Sequence, residues 1–139
     1  MAKHLEVYAL HKYFIWADRM RAHFEDVLRS RGGVTEADDT VESNMYMSLW
    51  YACSYVLVEG WRGLKLSDPH IDLLLESPNV DLLRRYRNGV FHFQKEYFDE
   101  RFVALIRDGE NVVPWIRQLR KEFSRFFLDW YKEHGGPTG

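Results

Sequence analysis

Along residues 4–30, apolar side chains return every three or four positions: Leu10, Tyr13, Phe14, Ala17, Met20, Phe24, Val27 and Leu28, with Arg19, Glu25, Asp26 and Arg29 between them. A helix with that period buries one stripe and wets the other, so 4–30 reads as one long amphipathic helix. Gly32 and Gly33 follow, where left-handed backbone would end it. The polar run 35–40 reads as a loop, with Asp39 or Thr40 to cap the next helix. That second helix is expected over about 41–64. Met45, Leu49, Trp50, Ala52, Cys53, Val56, Leu57 and Trp61 make it apolar around more than half its circumference, as in a helix central to a bundle or an oligomer interface. Gly60 weakens it by ~1 kcal/mol relative to alanine and permits close packing.

Ser67-Asp68-Pro69 has the form of a helix start, with proline in the first turn, and opens a short segment, 71–76, closed by Ser77-Pro78-Asn79. A third long helix is expected from 79 to about 107. Its core stripe is Leu83, Tyr86, Val90, Phe93 and Tyr97, continued by Phe98, Phe102 and Leu105, with Asp99-Glu100-Arg101 as the place where it could break. Gly109-Glu110-Asn111 turns the chain into a fourth helix, about 112–133, with Pro114 near its start and Gly135-Gly136-Pro137 to stop it. Ile116, Leu119, Phe123, Phe126, Phe127 and Trp130 form its apolar set. No strand alternation or internal repeat stands out. The expected architecture is all-α: one domain over 1–139, a four-helix up-and-down bundle with a short extra helix between helices two and three.

Composition narrows the function classes. With 46% hydrophobic and 29% charged residues the chain is globular rather than disordered. The most apolar run, 45–58, is too short for a bilayer span of roughly 20 residues and carries Ser48 and Ser54, so it reads as a core helix. The N-terminal Met-Ala-Lys-His-Leu-Glu lacks the apolar core of a secretory signal, and the single cysteine, Cys53, fits a buried structural thiol in a reducing compartment; a cytoplasmic location is expected. A net charge of −2 gives no bulk attraction for nucleic acid, so any such contact must come from local basic clusters. Two exist. Arg84, Arg85, Arg87 and Lys95 surround the middle of helix three, while Arg117, Arg120, Lys121 and Arg125 stripe helix four, where a solvated bundle face is the favoured reading. His4, His11 and His23 on helix one lack the Glu-x-x-His or HExxH support of a bundle metal site, so no metal and no cofactor is expected.

The chemistry-bearing stretch is Arg87-Asn88-Gly89-Val90-Phe91-His92. Arginine offers a fork of donors to phosphate oxygens, and histidine, with an ordinary pKa near ~6.5, moves protons at neutral pH. On a continuous helix Asn88 and His92 lie on one face, whereas Arg87 and His92 are separated by roughly 140°, an arrangement that suggests a site completed by another surface. Without chemistry, Arg87 would instead pair with Asp81 or Glu96 on a solvated face.

The segment from Leu83 to Phe93 resembles the signature of the HEPN superfamily, small all-α domains with an Arg-x4–6-His motif that often places Asn directly after Arg. The resemblance implies a metal-independent endoribonuclease of toxin or defence type. In such proteins the motif helices of two protomers meet across a two-fold axis, and a 2′-hydroxyl attacks the adjacent phosphate of RNA. Carried over, it gives Arg87 the scissile phosphate, His92 the general acid or base role and Asn88 a positioning role. It adds an acidic residue on the second helix, for which Glu59 is the candidate; the alternative for Glu59 is a surface pair with Arg62 or Lys65. The same resemblance accommodates a non-catalytic nucleotide- or RNA-binding module, or the partner of a nucleotidyltransferase antitoxin.

Overall fold

A computed structural model describes residues 2–30 and 37–136, and every regular element among them is helical. The six helices are α1 (Ala2–Ser30), α2 (Ala37–Gly63), α3 (Pro69–Leu74), α4 (Asn79–Phe91), α5 (Glu100–Asp108) and α6 (Val112–His134). The expected Gly32-Gly33 stop lies outside the described residues. So does the first part of the expected 35–40 loop; from Ala37 onward that stretch is already helix, so α2 begins ahead of Asp39 and Thr40. Pro137 of the third stop signal is likewise outside the described residues, but Gly135 takes the left-handed φ of 76° that ends α6, and its amide returns to the Tyr131 carbonyl.

α1 packs along most of α2, α2 along α4, and α4 against α5, while α6 returns to α1 and α3. One core gathers the buried stripes: Val7, Leu10 and Phe14 of α1, Trp50, Leu57 and Trp61 of α2, Leu83 and Tyr86 of α4, and Ile116, Phe123 and Phe127 of α6. α3 is short but firmly placed. Asp68 accepts from the amides of His70 and Ile71 as its N-cap and also takes Arg125 of α6 at 2.8 Å. The indole N–H groups of Trp61 and Trp115 donate to Asp72 and to the Leu74 carbonyl at 3.0 and 2.9 Å. No described helix is long and apolar enough to cross a membrane.

The expected third helix, 79–107, is two helices. α4 stops at Phe91, His92 is extended (φ −124°, ψ 132°), and α5 starts only at Glu100, capped by Asp99, whose carboxylate accepts from the Arg101 amide. Unbroken, 79–107 would run about 43 Å at 1.5 Å per residue and carry its far end off the core. Folding back instead buries Ala104 and Leu105 completely and sets Phe102 on Gly89, where a Cβ would lie 2.9 Å from the Phe102 ring. Burial of that magnitude outweighs a few tenths of a kcal/mol of helix propensity per residue. Phe93, Tyr97 and Phe98, expected in the core stripe, are consequently exposed. Met45 of α2 also faces outward.

Two side-chain clamps hold α5 in place. Gly89 admits the Phe102 ring on one side. On the other, the fully buried Asn79 donates Nδ2 to the Glu110 carbonyl at 2.7 Å and accepts the Glu110 amide on Oδ1 at 2.8 Å, tying the start of α4 to the turn before α6.

Candidate functional site

α4 buries Val80, Leu83 and Tyr86 against the core, which leaves Arg87 and Asn88 on the flank that faces α2. Across from them, Tyr55 and Glu59 stand four residues apart on α2 and so share one face. The Arg87 guanidinium lies over the Tyr55 ring, 4.8 Å from its centroid, a cation–π placement. Its Nε donates to Asn88 Oδ1 at 2.9 Å. Glu59 Oε1 sits 3.8 Å from Nη1, close enough to attract but too far to hydrogen-bond.

This arrangement fixes the arginine without consuming it. Tyr55 lies under the guanidinium and Asn88 holds Nε, while among the described residues no acceptor hydrogen-bonds the Nη groups. The Arg87 side chain is 21% exposed and Glu59 57%, so the pair sits at the surface where α2 and α4 meet. The paired alternatives take other partners: Asp81 holds Arg84 at 2.8 Å, and Arg62 donates to the Leu75 carbonyl.

His92 is placed differently from the expectation of a shared helical face. It lies one residue beyond α4, its ring exposed, with only its backbone joined to the motif through a 3.2 Å bond from its amide to the Asn88 carbonyl. The physical cause is the fold-back of α5 described above. The His92 carbonyl accepts Gln94 Nε2 at 2.7 Å, Gln94 Oε1 accepts from Arg101 at 2.9 Å, and Arg101 pairs with the cap Asp99. A polar relay thus orders the 92–99 segment from end to end. Arg87, Asn88 and Glu59 come together within one chain; His92 does not join them.

The arginines of the α6 cluster are paired, whereas around the motif only Arg84 has a close carboxylate partner among the described residues. On α6, Arg120 pairs with Asp18 at 2.7 Å, Arg117 with Glu25, and Arg125 with Asp68 and Glu122, so the stripe is a solvated face, as expected, whose arginines also reach carboxylates on neighbouring elements. Burial alone would raise the pKa of Asp18, but hydrogen bonds and charge from Arg120 and Arg21 outweigh it and hold it below the usual carboxylate value. Arg107 is shared by Glu100 and Asp108.

The helix-one histidines are used structurally. His4 Nε2 bonds Tyr8 at 2.7 Å, His11 Nδ1 bonds Tyr131 at 2.6 Å, and His23 stacks on Tyr46. Among the described residues no group of three or more His, Cys, Asp or Glu side chains is placed to hold a metal. Burial raises the pKa of the Cys53 thiol, which keeps it protonated. Beneath the motif, burial raises Tyr86 as well, and its hydroxyl meets Ser48 Oγ at 3.2 Å.

Sequence reasoning missed Tyr55 as the platform for Arg87 and Gln94 and Arg101 as the ordering relay. The four-residue spacing of Tyr55 and Glu59 was the available signal for the first; the relay had none. Comparison with protein-family models, curated proteins and solved structures finds no match.

Proposed function

We propose that this chain is a HEPN-like domain acting on RNA as a cytoplasmic homodimer, a metal-independent endoribonuclease of toxin or defence type built on an up-and-down helical bundle. The observation that carries the reading is Arg87: a guanidinium placed over Tyr55 and steadied by Asn88, with no hydrogen bond on its outer nitrogens and the Glu59 carboxylate 3.8 Å from one of them. In the proposed reaction the 2′-hydroxyl of RNA attacks the adjacent phosphorus while a His92 brought to the site by the second copy takes its proton. The departing 5′-oxygen takes a proton from solvent, and a 2′,3′-cyclic phosphate remains. Arg87 stabilises the charge that grows on the non-bridging oxygens. Glu59, 3.8 Å away, orients the guanidinium without neutralising it through a close bond.

A second reading is favoured by one observation: the His92 ring is exposed, one residue beyond α4, and makes no contact with Arg87 or Glu59 among the described residues. It makes the protein a non-catalytic module that binds a nucleotide or RNA through Arg87, or that docks a nucleotidyltransferase antitoxin.

The test is cleavage of a mixed RNA pool in excess chelator by wild type, Arg87→Ala and His92→Ala. The nuclease reading expects cyclic-phosphate ends from wild type and losses of about 100-fold or more in each variant. No cleavage by wild type, or equal cleavage by all three, overturns it; RNA retention by wild type but not Arg87→Ala would then support the binding module.

A further inference from the structure

Glu59 faces two ways. Besides approaching Arg87, it lines an open groove of about 310 Å³ between α1 and α2. α1 contributes Glu6, Leu10 and Tyr13, a turn apart along one face, and α2 contributes Val56, Glu59 and Leu64. Gly60 lies in the floor, where a Cβ would come 2.5 Å from Leu10 Cδ1, so the glycine lets Leu10 settle against the α2 backbone. The volume is that of a small-molecule cleft, at the lower end of about 300–1,000 Å³, and too small for a partner helix about 10 Å across. Two lining side chains are carboxylates and none is basic. Glu6 has no ion pair or hydrogen bond among the described residues, and Glu59 has only the 3.8 Å approach of Arg87. Leu10 meets Gly60 and His23 stacks on Tyr46, so the two helices run antiparallel in that register. Glu59 is thereby set about five residues along the groove from Glu6, or ~7 Å at 1.5 Å per residue.

We propose that this groove binds a short aliphatic diamine, with one ammonium on Glu59, the other on Glu6 and the methylene chain over Leu10 and Val56. The lining chooses among occupants. A neutral apolar guest would shield two carboxylates from water and give them nothing in return. A single ammonium, such as a partner protein's lysine, would leave one carboxylate unmet. Among the described residues no three His, Cys, Asp or Glu side chains converge to hold a metal ion. The cations nearby stand outside the groove. Lys12 lies over the Tyr13 and Trp16 rings, 5.3 and 5.2 Å from their centroids, Arg62 donates to the Leu75 carbonyl, and Lys65 is exposed beyond the end of α2. Arg87 is the one cation that competes, since an amine on Glu59 draws the carboxylate from the guanidinium. An occupied groove therefore leaves Arg87 less opposed when it meets a phosphate. That consequence rests on the RNA reading above; the groove itself does not.

The experiment is titration of the full chain with butane-1,4-diamine, butylamine and butan-1-ol at low salt, followed by backbone amide shifts in NMR, for wild type, Glu6→Gln, Glu59→Gln and Glu96→Gln. Glu6 and Glu59 are exposed and glutamine keeps their size, so circular dichroism should show every variant folded. In wild type and in Glu96→Gln, altered outside the groove, the diamine is expected to give saturable shifts at Leu10, Tyr13 and Leu64 and to bind about 3-fold tighter than butylamine. The alcohol is expected not to saturate. Glu6→Gln and Glu59→Gln should each weaken the diamine about 3-fold, the share of a partly exposed ion pair, and erase its advantage over butylamine. No saturable shift in wild type by about 10 mM, equal binding of the alcohol, or a diamine affinity unmoved by both groove substitutions overturns the proposal. RNA cleavage by the same samples separates this site from the nuclease reading. Diamine binding without cleavage supports the groove and removes the nuclease; cleavage without diamine binding does the reverse.

Discussion

Replacing Asn79 with alanine tests the view that α5 is held in place from a distance. The side chain is fully buried, and both its ends are used, donating to the Glu110 carbonyl at 2.7 Å and accepting the Glu110 amide at 2.8 Å. A hydrogen bond contributes about 1 kcal/mol net, and a buried group left unpaired costs about 1–3 kcal/mol. Glu110 itself is at the surface, so water entering the vacated space would recover part of the loss. The expected destabilisation is therefore about 2–4 kcal/mol, a large share of a domain stability of about 5–15 kcal/mol. Urea unfolding followed by circular dichroism reads it as a lower midpoint at unchanged slope. Asn79→Asp sharpens the test. It keeps an acceptor for the Glu110 amide but sets a carboxylate against the Glu110 carbonyl, so it should be worse than alanine at neutral pH and improve on acidification, once the carboxyl can donate. A loss below about 0.5 kcal/mol for Asn79→Ala, within the range of an ordinary surface change, would refute the reasoning.

Three further outcomes follow from the packing. Asp18 has its pKa lowered in the fold, against the opposing effect of burial, so its contribution is fully present above the ordinary carboxylate value near ~3.9 and is lost as pH falls through its own lower value; the urea midpoints of wild type and Asp18→Asn should differ at neutral pH and converge in acid. Burial, reinforced by neighbouring Tyr86, pushes Tyr51 up to about 12, so its contribution is intact below the ordinary tyrosine value near ~10 and fades above it; Tyr51→Phe should flatten the alkaline loss of stability. Gly89→Ala gains about 1 kcal/mol of helix propensity but drives a methyl to 2.9 Å from the Phe102 ring, an overpacking cost of about 1–3 kcal/mol; a net loss near 1 kcal/mol, with Phe102 resonances displaced, is expected, whereas a stabilised variant would show that α5 sits more loosely on α4.

The amphipathic periods of α1, α2 and α6 were legible because each helix buries a stripe that the sequence repeats. The break in 79–107 was not, because the apolar period runs on through Phe93, Tyr97 and Phe98. What stops the helix is tertiary: the fold-back that buries Leu105 and seats Phe102 on Gly89, reinforced by a cap at Asp99 that was noticed only as a weak point. The residue types of the site could be read from the chain, and Glu59 was placed near the motif only by a resemblance. Its neighbour, Arg87, lies on another helix, and helical spacing cannot report which helices adjoin. The partners of the α6 arginines were hidden for the same reason, since Arg117 and Arg120 meet carboxylates 92 and 102 residues away.

Those two ion pairs also bear on the order of assembly. The α1–α2 and α4–α5 pairs join neighbours in the chain and can form as soon as each hairpin exists, whereas the contact of α6 with α1 closes a loop of about 100 residues, an entropic toll of about 4 kcal/mol that docking of α6 on the nearer α3 reduces. During synthesis Phe14, Ala17 and Trp61 therefore wait, uncovered, for Phe123 and Phe127, the last large side chains of the core to be made. A substitution in α6 should slow refolding less than it speeds unfolding, while one in the α1–α2 hairpin should act on the folding rate. The strand of events that completes this fold is thus written at its C-terminal end.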